Sequence, residues 1–214
     1  MKLNYPVLNI ARSKTKLDIE SPIIGSGVVQ KIIEHYPDII HSSKQALVIG
    51  AGPIGLAVKK SLEKMGKNVD IIDVDTLISE LNMNLFDVVI GCTGENILAD
   101  NNVKKLGKVL LVSASSSDKE FSALTIREHF PKNTDPHKDY VQGEVTLSNS
   151  GFPINFDGRI QFLPLEKIQI TLGLIFAGIC LTSSREFSNG LNDFPTDIGN
   201  EITNDYLVLS RQNN

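Results

Sequence analysis

Residues 46-ALVIGAGPIGLAVKKSLEKMG-66 decide the fold of this chain. They begin with a short apolar run, pass through a turn with glycines at positions 50, 52 and 55, and continue as a segment of helical periodicity that ends at Gly66. A G-x-G-x-x-G turn between a strand and a helix is the context in which this motif binds a dinucleotide. We therefore predict a dinucleotide-binding turn within a parallel α/β sheet.

Each glycine of this turn has a separate physical task. Gly50 permits the sharp turn out of the strand, Gly52 allows a pyrophosphate to approach the backbone, and Gly55 lets the helix pack close to the sheet. A bound phosphate would then meet free backbone N–H groups at the positive end of the helix dipole. Pro53 suits the first position of the helix, where its missing N–H has no consequence.

An aspartate ends the next predicted strand, 68-NVDIID-73. Asp73 follows Gly50 by 23 residues, where a carboxylate would accept hydrogen bonds from the adenosine ribose hydroxyls. The same negative charge would repel the 2′-phosphate of NADP, and no arginine lies beside it, so the sequence favours NAD. Asp73 as a solvated strand end or helix cap, and Asp75 as the ribose ligand, stay open as alternatives.

Two further turns follow predicted strands and are candidates for contacts with the cofactor. The first is 91-GCTGEN-96 and the second is 113-SASSSD-118, and ordinary loops would have the same composition. In dinucleotide-binding folds such turns lie at the carboxyl edge of the sheet, where ligands bind. The predicted cofactor-binding residues are Gly50, Gly52, Pro53, Ile54, Gly55, Asp73, Val74, Cys92, Thr93, Gly94, Ser113, Ala114 and Ser115.

Strands alternate with helices along most of the chain, which predicts a Rossmann-like, doubly wound parallel sheet. The interval between Asp73 and Phe86 is short, so we predict that the third edge strand is missing. Strands are predicted at 46–50, 68–73, 86–91, 108–113, 140–148 and 159–163, and helices at 22–36, 54–66, 76–82, 97–107, 119–130 and 165–183. The remaining predictions are an extended arm at 1–21, a loop at 131–139, and a short helix or strand at 198–212.

The predicted organisation is a single structural unit in three parts. An N-terminal arm and helix occupy residues 1–44, an NAD-binding domain occupies 45–158, and a C-terminal helix and tail occupy 159–214. The helix at 165–182 is apolar over most of its circumference, which predicts burial against the sheet or against a second subunit.

Composition argues against several classes of function. A net charge of −4 gives no electrostatic reason to expect nucleic acid or an anionic membrane as partner. The four histidines share no metal-ligand spacing, so no metal is expected. Cys92 and Cys180 form no CxxC motif, which is typical of reduced, buried thiols in a cytoplasmic protein. The apolar run 170–181 is shorter than a membrane span and no signal peptide is evident, so a soluble protein is expected.

Taken in order, these motifs resemble the NAD-binding domain of the S-adenosylhomocysteine hydrolase family over about residues 5–185. The resemblance implies NAD as the cofactor, a Rossmann-like fold and a homo-oligomer. The stretch YPVLNIARSKTK is similar to that family's FPxINVxxSxTK, VIGAGPIG falls at its glycine turn, and IIDVD falls at its ribose-binding acid. Further along the chain, VIGCTGENIL falls at its TTG turn, LVSASSSDKEF at its N-x-G-H-F-D-x-E sequence, and VTLSNSGFP at its V-N-L…G-H-P segment.

The departures from that family concern catalysis. Lys16 stands where the family has its catalytic lysine, but Glu20 and Ser21 replace the aspartate and asparagine that follow it. Ser113 and Ser116 stand where N-x-G-H has its asparagine and histidine, and Phe152 where G-H-P has its histidine. The family's large substrate-binding part precedes the stretch similar to residues 5–16, and its tail lysine and tyrosine have no match near 200–214. Lys16 and Glu20 are the candidate catalytic pair, with a plain surface ion pair as the alternative.

The functional prediction is an NAD(H)-binding protein with an intact cofactor turn and an altered catalytic set. It would be a small NAD-dependent oxidoreductase, or the cofactor-carrying subunit of one whose substrate pocket comes from a separate chain. One alternative is an active adenosylhomocysteine hydrolase-like enzyme. Another is a non-catalytic dimeric module that responds to NAD.

Overall fold

A computed structural model describes residues 3–73, 82–98, 106–128, 135, 137–158, 163 and 165–212. The chain divides into two compact units, one made of residues 24–162 and the other of residues 1–23 and 163–214. The strands are β1 (Pro6–Asn9), β2 (Gln45–Ile49), β3 (Asn68–Ile72), β4 (Val88–Gly91), β5 (Val109–Ser113), β6 (Tyr140–Gln142), β7 (Val145–Leu147) and β8 (Gly190–Asp193). The helices are α1 (Ser21–His35), α2 (Pro37–Ser42), α3 (Pro53–Lys64), α4 (Ala123–Arg127), α5 (Leu165–Ser184) and α6 (Thr196–Gln212).

Six strands of the larger unit form one sheet in the order β3-β2-β4-β5-β7-β6. All neighbouring pairs are parallel except β6 with β7. The chain runs from β2 outward to β3 and then returns to the other side of β2 to form β4, which creates a topological switch point at the end of β2. The prediction of an α/β fold with a mainly parallel sheet is confirmed.

The burial of strand β2 on both faces explains why its residues form a continuous apolar run. Ala46 and Val48 face a core cluster that includes residues of α1 and α3, whereas Leu47 and Ile49 face a second cluster that contains Phe121. A parallel strand covered on both faces buries every side chain, so it lacks the polar alternation of a half-exposed strand.

Two predicted elements of this unit are wrong in detail. The strand predicted at 140–148 is a hairpin of β6 and β7, because Gly143 adopts a positive φ of 60° and turns the chain back on itself. The helix predicted at 119–130 begins instead with a 3-10 turn, Glu120–Ser122, in which Phe121 and Ser122 are left-handed. A left-handed conformation costs a residue with a side chain about 1–2 kcal/mol, so sequence propensity does not reveal it.

The smaller unit contains the two ends of the chain. Strands β1 and β8 pair in parallel, and Leu174, Leu181 and Phe194 form the centre of a small core with α5 and α6. The extended arm predicted at 1–21 is therefore only partly correct, since a strand and a π-helical turn, Lys16–Glu20, lie within it. The tail predicted at 198–212 is a helix.

Helix α5 is as long as predicted but is less buried than expected. Leu172, Ile175, Phe176 and Ile179 are exposed, Phe176 by 70% of its surface. By length and composition, Glu166–Ser184 passes a test for a membrane-crossing helix, which core helices of soluble proteins also pass. Of the two cysteines expected to be buried, Cys180 on this helix is exposed.

Several sequence predictions fall outside the described residues in whole or in part. These are most of the helix at 76–82, most of the helix at 97–107, most of the loop at 131–139 and most of the strand at 159–163. Ile97 and Leu98, at the start of the second of these helices, are described and are not helical. The predicted absence of a third edge strand concerns residues 74–85, of which only 82–85 are described, and Met83–Leu85 form a 3-10 turn.

Candidate functional site

The glycine turn has the backbone geometry that its sequence predicts. Gly50 has a φ of 109°, in the left-handed region that favours glycine. A Cβ added to Gly55 would lie 1.8 Å from the carbonyl oxygen of Gly50, so only glycine allows α3 to begin this close to β2. Gly50 and Gly55 therefore shape the turn itself.

Gly52 differs from the other two glycines because it faces open space. An added Cβ would meet no atom within 4 Å, and φ of −70° with ψ of 178° is extended backbone open to any residue. Gly52 is also the N-cap of α3, and no side chain caps this helix in the described part of the chain. Pro53 is its first residue and Ile54 packs against the core. Room beside an uncapped helix N-terminus is what a pyrophosphate needs.

Asp73 lies directly beyond β3, at the edge of the same turn. Its Oδ1 accepts a hydrogen bond from the N–H of Ala51 at 3.4 Å, and its side chain is exposed. The carboxylate is therefore held next to the glycine turn rather than drawn away from it. Val74 and Asp75, the other residues named for this side of the site, lie outside the described residues.

The turn after β4 packs against the glycine turn. A Cβ on Gly50 would lie 3.0 Å from the carbonyl of Cys92 and 3.1 Å from Cγ2 of Thr93. The hydrogen-bonding groups of this turn are already engaged by the fully buried Glu120. Its Oε1 accepts bonds from Thr93 N–H at 2.6 Å, Thr93 Oγ1 at 3.0 Å and Gly94 N–H at 3.1 Å.

The residues predicted after β5 are brought to the same edge of the sheet. Gly91 and Ser113 are register partners at the ends of β4 and β5. Ser113 is fully buried and donates its hydroxyl to Oε2 of Glu120 at 2.8 Å. Ala114 is also buried, and the Ser115 hydroxyl donates to the carbonyl of Ser117 at 2.8 Å. Ser113 thus stabilises the turn from its buried side and is not exposed at the crevice.

Glu120 is not among the residues predicted for the site. The residue stands in 119-KEFSAL-124, which has the periodicity of a helix start, and a glutamate in the first turn of a helix is ordinary. Its burial depends on the left-handed Phe121 and Ser122, which no sequence pattern indicated. Two signals could have found it. The N-x-G-H-F-D-x-E sequence, with its asparagine at Ser113, has its glutamate at position 120. Gly91 indicates close packing, since its added Cβ would lie 2.7 Å from the Glu120 carboxyl carbon.

Two buried groups of this unit have strongly raised pKa values. Burial, and to a lesser degree the charge of Glu120, raises the pKa of the Cys92 thiol, so Cys92 is a neutral thiol rather than a nucleophilic thiolate. Burial raises the pKa of Tyr36; the hydrogen bond to Ser148 lowers it in part, and the hydrogen bond and charge of Asp139 raise it. The Tyr36 hydroxyl lies 2.7 Å from Oδ1 of Asp139 and 2.9 Å from Oγ of Ser148.

These shifts predict a loss of stability in alkaline solution. In the unfolded chain Cys92 and Tyr36 ionise near their ordinary pKa values of 9.0 and 10.0, whereas in the folded chain they stay protonated. Above about pH 9 the unfolded state binds fewer protons, so the free energy of unfolding falls by up to about 1.4 kcal/mol per pH unit for each group. Denaturant unfolding from neutral to alkaline pH measures this slope.

A double variant, Cys92→Ala with Tyr36→Phe, is the control for the alkaline effect. It should lower stability at neutral pH but flatten the dependence on pH. A slope equal to that of the parent would show that other groups cause the alkaline loss.

Lys16 and Glu20, the predicted catalytic pair, form an ion pair. Nζ of Lys16 lies 2.8 Å from Oε2 of Glu20, and the side chains are 28% and 11% exposed. The pair lies in the unit formed by the chain ends, whereas the glycine turn lies in the unit of residues 24–162. Glu20 is buried and Lys16 is partly exposed, so the catalytic pair and the surface ion pair both stay predictions.

A cavity lies at the opposite edge of the central sheet, where the strands begin. Asp38, Asp87, Lys108, Glu144 and Thr146 are among the residues that line it. Ligands of open parallel sheets bind at the carboxyl ends of strands, and Oδ2 of Asp87 already accepts the N–H groups of Lys44 and Gln45. The crevice at the glycine turn is therefore the better candidate site.

No group of three or more metal-ligating side chains occurs in the portion of the chain that the structure describes. The two cysteines are both free thiols. The groups that the described residues offer at the site are thus backbone amides, the exposed carboxylates of Asp73 and Glu95, and small hydroxyl residues.

Comparison with known proteins agrees with this geometry. Residues 46–137 match the TrkA-N domain, a Rossmann-like NAD(P)-binding domain. The match begins in β2 and includes the glycine turn, Asp73, and the turns after β4 and β5. It indicates NAD(P) binding without distinguishing NAD from NADP. The matches give no direct support to the predicted resemblance to S-adenosylhomocysteine hydrolase.

Two curated relatives come from Mycobacterium tuberculosis. Uncharacterized protein MT0113 of strain CDC 1551 / Oshkosh and uncharacterized protein Rv0104 of strain ATCC 25618 / H37Rv are each 38% identical over 206 residues. The alignments cover 90% of this chain but only 40% of each relative. The chain therefore spans about two fifths of the length of the curated relatives it matches.

Among solved structures, the A chain of dipicolinate synthase from Bacillus subtilis is similar with a TM-score of 0.50 and 15% identity, over 79% of this chain and 56% of that one. L-tryptophan dehydrogenase from Nostoc punctiforme has a TM-score of 0.43 and 13% identity, over 90% of this chain and 62% of that one. At such identities the first likeness shows the fold alone. This chain thus contains a Rossmann-like α/β fold with a stretch similar to the TrkA-N domain.

Proposed function

We propose that this chain binds NAD in the crevice at the end of β2 and is the cofactor-carrying part of an NAD-dependent oxidoreductase. The observation that carries the proposal is the open space at Gly52, at an uncapped helix N-terminus, with the exposed carboxylate of Asp73 beside it. The stretch similar to the TrkA-N domain includes these same residues.

The residues of the crevice fit two groups of an adenine dinucleotide, the pyrophosphate and the adenosine ribose. Gly52 and the first amides of α3 would hold the pyrophosphate, since the absent side chain leaves the backbone accessible. Asp73, positioned by the N–H of Ala51, would accept hydrogen bonds from the ribose hydroxyls. A 2′-phosphate would place a second negative charge against this carboxylate, so we propose a preference for NAD over NADP.

When bound, nicotinamide supplies hydride transfer. The chain's own groups near the turn after β4 supply shape rather than proton transfer. Glu120 uses both oxygens in internal hydrogen bonds, and Cys92 is a neutral buried thiol. This supports the proposal that groups from elsewhere, in a separate substrate-binding chain or in other residues of this one, complete the substrate site.

The Lys16–Glu20 pair supports a second candidate function, an adenosylhomocysteine hydrolase-like activity. The lysine is mostly shielded from solvent and lies against a buried carboxylate, unlike the members of an exposed surface pair. Lys16 and Glu20 would be the catalytic residues of this activity. Release of homocysteine from adenosylhomocysteine in the presence of NAD, lost in Lys16→Met, would favour it. Absence of release from the purified chain at saturating NAD would leave the first proposal.

Calorimetric titration with NAD and with NADP tests the proposed function. We expect NAD to bind and NADP to bind at least about tenfold more weakly, which corresponds to about 1.4 kcal/mol. Equal affinities would contradict the assignment of Asp73 to the ribose. Binding of neither dinucleotide would contradict the proposed function itself.

We also propose that the chain forms a homodimer through α5. Leu172, Ile175, Phe176 and Ile179 recur at helical spacing and are exposed, so they form an apolar stripe on one face. Leu207, Val208 and Leu209 of α6 are exposed in the same unit. Large contiguous apolar patches are rare on monomeric proteins and mark interaction sites, and an uncharged stripe can pair with its own copy without charge repulsion.

Phe176→Glu should dissociate this dimer, because it places a charge at the centre of the stripe. We expect the parent to have the mass of a dimer in light scattering at micromolar concentration and the variant to have the mass of a monomer. Asn204→Glu, at an exposed polar position of α6, should remain dimeric. A parent chain that is monomeric at high concentration would refute the proposal.

The proposed location is the cytoplasm. Both cysteines are free, and Cys180 is exposed, which suits a reducing compartment. Cell fractionation tests this location, and recovery of the chain in an oxidising compartment would contradict it.

A further inference from the structure

We propose that Glu120 is a positioning residue for the cofactor: its carboxylate fixes the turn after β4 against the end of β5 and so sets the wall of the crevice. This inference rests on the proposed dinucleotide site, although the fastening itself exists without a ligand. The contacts of both carboxylate oxygens carry it.

Glu120 joins two turns that follow neighbouring strands. Oε1 accepts hydrogen bonds from the N–H and the hydroxyl of Thr93 and from the N–H of Gly94, and Oε2 accepts one from the hydroxyl of Ser113. Four donors on a fully buried carboxylate replace the water that it has lost, which is the condition for burying such a charge. The carboxylate therefore acts as a bridge between the ends of β4 and β5.

The Glu120 carboxylate is closely packed against β4. A Cβ on Gly91 would lie 2.7 Å from Oε2 of Glu120, so glycine at this position makes room for the carboxylate. The bridged turn in turn contacts the glycine turn, because Cys92 and Thr93 lie against Gly50. A shift of Glu120 would thus be passed to the wall of the proposed cofactor crevice.

A second set of contacts fastens the same two segments. Ser122 donates its N–H to Oδ1 of Asn96 at 3.2 Å, and Nδ2 of Asn96 donates to Oγ of Ser122 at 3.1 Å. Phe121 and Ser122 are left-handed, a conformation that persists only where surrounding contacts hold it. The segment after β4 is therefore attached at both of its ends to residues 120–122.

The bridge also decides which chemical group can rest on the turn after β4. The N–H groups of Thr93 and Gly94 donate to Glu120, so this turn offers no pair of free amides to an anion. A negative charge buried behind it further disfavours phosphate. The turn is thus suited to the ribose and the nicotinamide ring, neither of which carries a negative charge, and the pyrophosphate is left to Gly52.

Amide hydrogen exchange tests the bridge without any ligand. In the parent chain the N–H groups of Thr93 and Gly94 should exchange slowly, as measured by NMR on the ¹⁵N-labelled protein. Glu120→Gln keeps one oxygen acceptor but loses the charge, so exchange at these two amides should become faster. Fast exchange in the parent, or unchanged exchange in the variant, would overturn the inference. The parent measurement stands even where the variant fails to fold.

Fragment affinities then test the role toward the cofactor. We expect Glu120→Gln to weaken NAD by about fivefold to tenfold and to leave AMP, which would rest on Gly52 and Asp73, within about twofold. Glu95→Gln, an exposed carboxylate in the same turn, should change neither. Equal weakening of NAD and AMP by Glu120→Gln would overturn a specific positioning role. If the parent binds neither NAD nor AMP, the proposed function fails while the exchange result still decides the bridge.

Discussion

Gly52→Val is expected to abolish detectable NAD binding while leaving the fold intact. No atom lies within 4 Å of the added Cβ, and the extended backbone of Gly52 accepts a branched residue before proline. The free energy of unfolding should therefore stay within about 0.5 kcal/mol of the parent. The new side chain would occupy the space proposed for the pyrophosphate, so affinity should fall at least about a hundredfold, or about 2.8 kcal/mol.

Gly55→Ala is the matched comparison for this variant. Its added Cβ would lie 1.8 Å from the carbonyl oxygen of Gly50, so the helix would have to move away from β2. We expect a clear loss of stability, of several kcal/mol, as is typical of backbone clashes in a packed region. Thermal unfolding and calorimetry on the two variants separate the tasks of the two glycines. A Gly52→Val variant that folds and binds NAD like the parent would place the dinucleotide elsewhere.

Asp73→Ala should weaken NAD binding and remove most of the discrimination against NADP. A hydrogen bond to a charged group contributes about 1.5–3 kcal/mol, so we expect NAD affinity to fall about tenfold to a hundredfold. NADP affinity should fall less or rise, because the negative charge that repels its 2′-phosphate is gone. Titration of the variant with both dinucleotides measures the change in their ratio.

Asp70→Ala is the control for this effect. Asp70 lies within β3, three residues before Asp73, and its side chain is exposed. Its replacement should leave both affinities within about twofold. Unchanged NAD affinity in Asp73→Ala would move the ribose role to another residue, with Asp75 the first candidate.

The central fold could be predicted because local and global signals coincide there. The apolar run 46–49, the glycine turn and the amphipathic α3 each specify the same strand-turn-helix unit, and Asp73 follows where that unit requires it. The proposed cofactor crevice could be predicted from the sequence for the same reason, since the shape of the crevice depends on the glycines and on where β3 ends.

The remaining features depend on contacts between residues distant in sequence. Glu120 looks like an ordinary helix start, and its role appears only when β4 and β5 bring Thr93 and Ser113 together. The sequence predicts one strand through Gly143, because the residues on both sides of this glycine alternate with the same period. The apolar circumference of α5 predicted burial but could not indicate which of its faces the chain itself covers.

A crystal structure of the chain grown with saturating NAD tests the central claim most directly. The account predicts the pyrophosphate over Gly52 at the amino end of α3, and the adenosine ribose hydroxyls within hydrogen-bond distance of Asp73. The turn at Thr93 and Gly94 should still be bonded to Glu120 in that complex. A dinucleotide bound away from Gly52, or a crevice that contains none at saturating concentration, would contradict the account.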